Sequence, residues 1–338
     1  MEYFPRPEFL LPWFYANKRD LPWRKTKDAY AVWVSEIMLQ QTRVEAAKEH
    51  YVRFMKTLPS VFDLAACDDE KLMKLWEGLG YYSRARNMKK CAEKVAVEYG
   101  GVFPRDKASL LKLPGIGEYT AGSVSSIAYD EKNPAIDGNV LRVCARVQGD
   151  FMPIDDAKRK RELDALLRAV YPDAAGDYTQ SLMELGALVC LPENPKCAVC
   201  PMSGNCVAER DGLQEILPVM PKKNDKKRII LSVFFLRNGD SVLLRKRPTG
   251  GVLAGMWEFP NAEADVPPEE TLKSWGIEFS DLKKIGSHTH VFTHLVWEMT
   301  AYGAEIEGVP EGFVPATKEK IRREISLPSA FRWGIGLL

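Results

Sequence analysis

The sequence lacks the features that mark membrane, secreted and repetitive proteins. No apolar run reaches the roughly 18 residues that indicate a transmembrane helix, and no internal repeat or low-complexity tract is present. The first residues, Met1–Pro7, do not follow the charged and then apolar plan of a signal peptide. These absences predict a protein that makes no use of a membrane and stays in the reducing compartment where it is made.

An excess of charge of either sign is also missing. Lys and Arg number 47 and Asp and Glu number 46, which gives a net charge of +1. Nucleic-acid-binding proteins often carry a basic excess, so phosphate contacts here must come from local clusters or backbone amides. The one obvious charge run, Pro221–Arg228, is interpreted either as a solvated linker, which is the more common case, or as a segment that follows phosphates.

The hydrophobic pattern changes its period near residue 228. Before it, apolar residues recur at helical spacing in Asp28–Ala47, Glu70–Trp76, Ser83–Tyr99 and Arg161–Tyr171. After it, Ile229–Leu236, Ser241–Leu244 and Val291–Tyr302 read as strands, Asn238-Gly239 as a hairpin turn, and Glu269–Trp275 and Thr317–Glu324 as helices. With 338 residues the chain is long enough for two cores. We therefore predict an all-α domain followed by a small α+β domain.

Four of the seven cysteines lie close together in the sequence. Cys190, Cys197, Cys200 and Cys206 have the spacing C-x6-C-x2-C-x5-C, and such a cluster in a reducing compartment indicates a metal site rather than disulfides. Four thiolates suit tetrahedral zinc or an iron–sulfur cluster. Only one short C-x2-C pair is present, whereas zinc ribbons use two, so the spacing favours the iron–sulfur cluster and leaves zinc open.

Three further features of the helical half can carry chemistry, and each has a plainer interpretation. Leu113–Gly117 places two glycines before a predicted helix, which suits a phosphate site or an ordinary turn. Asp137 lies in an apolar stretch before Gly138 and is either a functional carboxylate or the N-cap of the next helix. Glu36 has apolar neighbours, so it is either paired structurally or has a raised pKa for proton transfer.

The order of these motifs resembles one family of proteins. Ser35–Thr42, Gly78–Tyr82, Leu113–Gly117, Asp137–Val140 and the four-cysteine loop follow one another as in the helix-hairpin-helix DNA glycosylases of the endonuclease III superfamily. Glu36, the Gly-Leu-Gly-Tyr-Tyr stretch and the strand-rich C-terminal half point to the MutY branch. The resemblance covers nearly the whole chain. It implies removal of adenine mispaired with 8-oxoguanine or guanine in double-stranded DNA, during base excision repair.

The resemblance also assigns roles to individual residues. Glu36 would be the general acid and base, and Asp137 would stabilise the oxocarbenium-like sugar or bond to it. Tyr119 would support Asp137 and the sugar, and Asn139 would order water or Glu36. Tyr119 stands where bifunctional relatives carry a lysine nucleophile, so we expect a monofunctional enzyme. The four cysteines would hold a 4Fe-4S cluster.

Contacts with the substrate follow from the same resemblance. Trp23 and Arg24 would form walls of the adenine pocket. DNA would be held by Gln41 and Tyr81, which fill the gap left by the flipped base, by Thr42 and Leu79 near the orphan base, and by Gly115 and Gly117 at the backbone. For Trp23 and Tyr81, core packing is the plainer alternative.

The C-terminal half resembles the Nudix fold of MutT-type nucleotide hydrolases in its segment Gly250–Pro260. The acidic Nudix box that would bind Mg²⁺ is missing from Asn261–Glu270, so we expect the fold without the hydrolase. In the MutY branch this domain recognises 8-oxoguanine through Phe-Ser-His. Here the motif is Phe292-Thr293-His294, which keeps the hydroxyl but adds a methyl group; Thr293 could also be an ordinary strand residue.

The resemblance divides the chain into three parts. Residues 1–217 form the helical catalytic region, in which 22–133 are a six-helix barrel with the helix-hairpin-helix and 1–21 plus 134–217 are the iron–sulfur cluster domain. Residues 218–227 are the basic linker and 228–338 the Nudix-like domain. We expect a monomer in the cytoplasm, associated with the nucleoid in a prokaryote. Two alternatives stay open: a related glycosylase for another mispair, such as T·G, or an oxidised pyrimidine, and a non-catalytic damage sensor.

Overall fold

A computed structural model describes residues 3–221 and 225–338. Contacts between residues divide the chain into two compact units, 1–67 with 86–222 and 68–85 with 223–338. The first is called the helical unit and the second the sheet unit below. The middle of the basic linker, residues 222–224, lies outside the described residues. Among the described residues, no helix is both long enough and apolar enough to cross a bilayer.

The helical unit is built from helices, as the sequence predicts. Their bounds are α1 Pro7–Asn17, α2 Ala29–Leu39, α3 Val44–Thr57, α4 Val61–Ala65, α6 Ser83–Glu98, α7 Lys107–Leu110, α8 Glu118–Tyr129, α9 Gly138–Gln148, α10 Ala157–Val170, α11 Ala175–Leu188 and α12 Val207–Asp211. The first turn of α6 belongs to the sheet unit. Helix α8 is central: residues 120–127 are all buried, and α2 and α11 both pack against it.

One stretch of the helical unit differs from the sequence-based expectation. The apolar pattern over Asp28–Ala47 fits one helix, but the structure ends α2 at Leu39 and begins α3 at Val44. Gln41 has a φ of 58°, in the left-handed region. The hydrophobic spacing continues across this break because α3 packs beside α2, so periodicity alone does not reveal the turn.

The described residues of the sheet unit form seven strands: β1 Lys227–Asn238, β2 Ser241–Lys246, β3 Trp257–Glu258, β4 Asn261–Glu263, β5 Phe279–Val291, β6 Leu295–Ile306 and β7 Val314–Thr317. They pair in the order β3-β2-β1-β6-β5, with β4 on β1 and β7 on β2. Strand β1 runs parallel to β6 and is buried from Leu231 to Leu236. A central strand covered on both faces explains the unbroken apolar run in the sequence.

Helices cover both faces of this sheet. On one face Leu231, Val233 and Phe235 pack with residues of α14 Lys318–Arg323 and α15 Ser329–Arg332. On the other face Phe234 and Leu236 pack with α13 Pro268–Ser274. The hairpin at Asn238-Gly239 is confirmed. The strand expected over Val291–Tyr302 is wrong at its start, because β5 ends at Val291 and β6 begins at Leu295, with a turn between them.

Residues 68–85 join the sheet unit through α5 Asp69–Trp76. Lys246 donates to Glu70 at 2.5 Å, and the indole nitrogen of Trp257 donates to the same carboxylate at 3.1 Å. Lys74 donates to the carbonyl of Ile325 at 3.1 Å. The sequence gives no signal for this grouping, since the contacts join residues far apart along the chain. The finer division into a barrel and a cluster domain stays a prediction.

Candidate active site

The helical unit contains a cavity of about 600 Å³, a volume typical of small-molecule sites. It is called the main cavity below. Several of the residues singled out from the sequence line it: Trp23, Arg24, Glu36, Gln41, Thr42, Tyr119, Asp137 and Asn139. They come from the turn before α2, from α2 itself, from the break before α3, and from the first turns of α8 and α9. The structure therefore brings together the candidate catalytic and pocket residues.

Glu36 faces the main cavity from the buried helix α2. The residue is only 5 % exposed, and Tyr119 donates its hydroxyl hydrogen bond to Oε2. Burial raises the pKa of Glu36, while the hydrogen bonds from Tyr119 and Ser123 and the nearby Arg24 lower it and Asp137 raises it. Burial also raises the pKa of Tyr119 well above its usual value, so the phenol stays a donor. The net effect favours a neutral carboxylic acid at Glu36.

Asp137 lies at the start of α9 and is the N-cap of that helix. Its Oδ1 accepts a hydrogen bond from the amide of Val140 at 2.8 Å, and its Oδ2 accepts one from Asn139 Nδ2 at 2.8 Å. Burial raises the pKa of Asp137, while these bonds and Arg142 lower it. A helix N-terminus also favours negative charge. Of the two coupled carboxyls, Asp137 is the better placed to hold the charge and Glu36 the proton.

The partners of Tyr119 and Asn139 differ from those expected. The resemblance implied that Tyr119 supports Asp137 and the sugar, and that Asn139 orders water or Glu36. In the structure Tyr119 bonds to Glu36 and Asn139 bonds to Asp137. The side chain of Asn139 is itself held, because Arg142 Nη2 donates to its Oδ1 at 2.8 Å and to the carbonyl of Gly186 at 2.9 Å.

Two glycines allow the helices to approach closely enough to build this site. A Cβ at Gly122 of α8 would lie 2.1 Å from the carbonyl oxygen of Pro134, in the segment that leads to Asp137. A Cβ at Gly186 of α11 would lie 2.5 Å from the Cβ of Asn139. Any side chain at either position would push the α9 N-terminus away from its neighbours.

The wall of the main cavity also carries an ion cluster that the sequence analysis did not identify. Glu184 of α11 is fully buried and accepts hydrogen bonds from Arg19 and Arg24. Burial raises the pKa of Glu184, but the bonds from the two arginines lower it to about 2, so this carboxyl is ionised. Trp23 completes the wall and packs edge-on against Tyr51 with ring centroids 5.4 Å apart.

Glu184 could have been found by the same signal that identified Glu36. It stands between apolar neighbours in Leu182–Leu185, which is unusual for a carboxylate without a partner. Arg19 and Arg142 show no such signal, because arginine is common at the surface and their partners lie far away in sequence. Gln180 also lines the main cavity and was not expected there.

The residues expected at the DNA backbone lie at the turn between α7 and α8. Gly115 has a φ of 74°, and Gly117 is the N-cap of α8 with an extended conformation. The amides at the start of α8 therefore follow directly after the glycine turn, as expected for a phosphate site. The helix-hairpin-helix arrangement predicted from Leu113–Gly117 is present.

The four clustered cysteines line a second, smaller cavity of about 30 Å³ in the helical unit. Arg146 closes it from α9, donating to the carbonyls of Leu191 at 2.5 Å and Pro192 at 2.9 Å. Across residues 3–221 and 225–338, no three His, Cys, Asp or Glu side chains are grouped so as to hold one metal ion. The four ligands of a 4Fe-4S cluster bind four different irons and do not converge on one ion, so the four thiols around this cavity fit the donor set that such a cluster uses.

The other candidate residues belong to the sheet unit. Leu79 is buried and Tyr81 is 46 % exposed, with a φ of 45°. Tyr81 Oη lies 2.5 Å from Thr293 Oγ1, so two residues that are predicted to contact DNA are hydrogen-bonded to each other. Thr293 and His294 are exposed in the turn between β5 and β6, while Phe292 packs edge-on against Trp297. This turn, Phe292–His294, is called the recognition turn below.

Comparisons with known proteins agree with this architecture. Residues 34–171 match the family described as HhH-GPD superfamily base excision DNA repair protein, and residues 232–333 match the NUDIX domain family. The adenine DNA glycosylase of Rattus norvegicus is 35 % identical to this chain, covering 88 % of it and 70 % of the rat protein. That of Buchnera aphidicola subsp. Schizaphis graminum is 34 % identical, covering 85 % and 84 %.

The chain belongs to the adenine DNA glycosylase family. It is therefore a base-excision DNA N-glycosylase, and the expectations of fold and family drawn from the sequence are confirmed. A solved thermostable thymine-DNA glycosylase is 29 % identical, with a TM-score of 0.56 over 60 % of this chain and 94 % of that one. An endonuclease III bound non-covalently to DNA, 23 % identical with a TM-score of 0.52, shares the fold of the helical unit.

Proposed function

We propose that this adenine DNA glycosylase removes adenine mispaired with 8-oxoguanine or guanine, and leaves an abasic site. The observation that carries the proposal is the pair of carboxyls, Glu36 and Asp137, that line one cavity and whose pKa values are both raised by burial. Breaking the bond between deoxyribose and adenine requires a better leaving group and stabilisation of a sugar cation. The two carboxyls can supply one requirement each.

Glu36 acts as the general acid in this proposal. Its buried carboxylic acid, oriented by Tyr119, protonates N7 of the flipped adenine, so that the bonding electrons leave with a neutral base. The Glu36 carboxylate formed in this step then accepts a proton from the attacking water. The protein begins and ends the cycle in the same protonation state.

Asp137 acts on the sugar. Its carboxylate, held by Val140 N–H and Asn139, faces the positive charge that develops at the anomeric carbon and stabilises it by charge or by a transient covalent bond. Tyr119 has no amine and cannot form a Schiff base with the sugar. The product is therefore an abasic site without strand cleavage.

Adenine reaches the cavity by leaving the base stack. Trp23 and Arg24 would then lie beside it, since both line the main cavity. Gln41 and Tyr81 would fill the gap in the duplex, Thr42 and Leu79 would contact the orphan base, and the amides after Gly115 and Gly117 would bind phosphate. The recognition turn would bind 8-oxoguanine through the hydroxyl of Thr293 and the ring of Phe292, with His294 beside them.

Cys190, Cys197, Cys200 and Cys206 would hold a 4Fe-4S cluster in the proposed protein. The cluster would supply a structural cross-link at the surface that faces DNA. Iron and sulfide analysis of the purified protein tests this, with about four of each per chain expected. Cys200→Ala should lose both, while Cys67→Ala, a buried cysteine outside the cluster, should keep them. A zinc content near one atom per chain would contradict the proposal.

Single-turnover base release on four duplexes tests the proposed substrate. We expect rapid release of adenine opposite 8-oxoguanine, slower release from A·G, and little from A·T or T·G. Equal rates on A·G and A·8-oxoguanine would remove the role given to the recognition turn and leave the catalytic assignment intact. Release of thymine from T·G without release of adenine would contradict the proposed substrate.

A further inference from the structure

The ion cluster of Glu184, Arg19 and Arg24 in the wall of the main cavity is more than a single salt bridge. Glu184 Oε1 accepts from Arg19 Nε at 3.0 Å and from Arg24 Nη1 at 2.8 Å. Glu184 Oε2 accepts from Arg19 Nη2 at 2.7 Å and from Arg24 Nη2 at 2.8 Å. One buried carboxylate thus binds two guanidinium groups, each through two bonds, which is the most directional form of ion pair that proteins use.

This cluster fixes Arg24 at the wall of the main cavity. Arg24 Nη1 also donates to the carbonyl of Arg19 at 3.2 Å, and the guanidinium lies 5.5 Å from the ring centroid of Phe14. Three of the five guanidinium N–H donors are therefore used by the described residues, and the side chain lines the main cavity. Without Glu184 the Arg24 side chain would adopt several rotamers.

The net charge of the cluster also acts on Glu36. Two guanidinium groups and one carboxylate leave a single positive charge in excess. The groups that act on Glu36 are Tyr119 and Ser123 from α8, Asp137 at the start of α9, and Arg24 from the turn before α2. Of these, Arg24 is the cation, and its positive charge favours the ionised form of Glu36.

We propose that Glu184 is a positioning residue of the base-release reaction. It holds Arg24 and Arg19 at the wall of the main cavity and offsets part of their charge, so that Glu36 keeps the proton it must donate. This inference rests on the proposed role of Glu36 as the general acid. Loss of the Glu184 charge leaves two uncompensated cations beside the cavity, which favours the Glu36 carboxylate and removes the acid.

The pH dependence of single-turnover adenine release tests the proposal. In Glu184→Gln the fall in rate at high pH, the descending limb of the profile, should begin at lower pH. The rate on that limb should drop by roughly three- to tenfold, because this is the effect of one added positive charge at an effective dielectric constant near 20. In Glu184→Gln/Arg19→Gln the net charge of the cluster returns to its original value, and the limb should move back. A merely structural role would leave the limb in place or make the double variant worse.

Stability needs a separate control, because removing one member of a buried ion cluster weakens folding. Glu258 is a matched case in the sheet unit: it is buried and accepts from Arg245 and Arg247. Glu258→Gln should lose thermal stability to a similar extent and keep the pH profile. If Glu184→Gln does not fold, Arg19→Gln gives the opposite test, since one cation fewer should move the limb to higher pH.

Two results would overturn the inference: an unshifted limb in folded Glu184→Gln, or an equal shift in Glu258→Gln. Failure of the proposed function is recognised separately. If Glu36→Gln releases adenine at the rate of the unchanged protein, Glu36 is not the acid, whatever Glu184 does. If Glu36→Gln is inactive and Glu184→Gln keeps its profile, the function stands and only the role of Glu184 is wrong.

Discussion

The main cavity and the recognition turn place polar groups in opposite surroundings. In the cavity burial raises the pKa of Glu36, Asp137 and Glu184, and the balance between burial and the hydrogen-bond donors around each carboxyl decides which of them is charged. In the recognition turn Thr293 and His294 are exposed, and water competes for each hydrogen bond. A buried group therefore controls a reaction through its charge, whereas an exposed hydroxyl contributes only a modest difference between two partners.

The largest effect should come from Asp137→Asn. Asparagine keeps the shape and still caps α9, but it removes the charge that the proposal places beside the sugar cation. We expect single-turnover adenine release to fall by at least about a thousandfold, with the melting temperature nearly unchanged. Asp156→Asn is the matched control, because Asp156 caps α10 in the same way outside the cavity. A rate within tenfold of the unchanged protein would contradict the assignment of Asp137.

Glu36→Gln should be nearly as damaging. Glutamine fills the same space but cannot give a proton to adenine, so we expect a loss of roughly a hundred- to ten-thousandfold. In the unchanged protein burial raises the pKa of Glu36, so the protonated, active form persists above the usual range for a carboxyl. Its rate should fall as pH rises through that raised pKa.

The residual rate of Glu36→Gln should not show this fall at high pH, the high-pH limb of the profile, because the group that titrates is gone. Glu258→Gln, a buried glutamate of the sheet unit, should retain the limb. A limb that survives unchanged in Glu36→Gln would assign the acid to another group. The measurement is the rate of base release over a pH series, with binding to the same duplex recorded at each pH.

Tyr119→Phe should have an intermediate effect. It removes one buried hydrogen bond to Glu36 and keeps the ring, so we expect a loss of roughly tenfold. The Tyr119 bond lowers the pKa of Glu36; without it the high-pH limb should move to higher pH, opposite to Glu184→Gln. Tyr129→Phe, which removes the bond from Tyr129 Oη to the carbonyl of Phe103 at the far end of α8, should change neither the rate nor the limb.

The sequence was most informative where chemistry and local pattern coincide. A carboxylate among apolar residues identified Glu36, and a carboxylate before a glycine identified Asp137, which is both a helix cap and a cavity residue. The change of period near residue 228 predicted the two folds. These signals are local, because helix and strand periodicity and capping depend on residues within a few positions of each other.

What the sequence did not predict depends on contacts between distant residues. Glu184 meets Arg19 and Arg24 across more than 150 positions. The exchanged partners of Tyr119 and Asn139 follow from how closely α8, α9 and α11 pack at Gly122 and Gly186. The turns at Gln40–Arg43 and Phe292–His294 interrupt patterns that stay apolar on both sides. No rule about the spacing of residues along the sequence predicts such contacts.

The smallest effect should be found at the recognition turn, and it concerns preference rather than rate. Thr293→Val removes the hydroxyl and keeps the shape, so we expect the preference for A·8-oxoguanine over A·G to fall about fivefold, the equivalent of one exposed hydrogen bond. Thr293→Ser keeps the hydroxyl and should keep or raise the preference. The comparison needs single-turnover rates and dissociation constants for both duplexes.

Thr289→Val, on the exposed side of β5, is the matched control and should leave the preference unchanged. The Thr293 hydroxyl lies 2.5 Å from that of Tyr81; because a hydroxyl can donate one hydrogen bond and accept another, Thr293 can bind 8-oxoguanine with or without losing this bond. If Thr293→Val kept the full preference, the hydroxyl would serve Tyr81 alone, and discrimination of the modified base would have to come from other groups of the turn, Phe292 and His294.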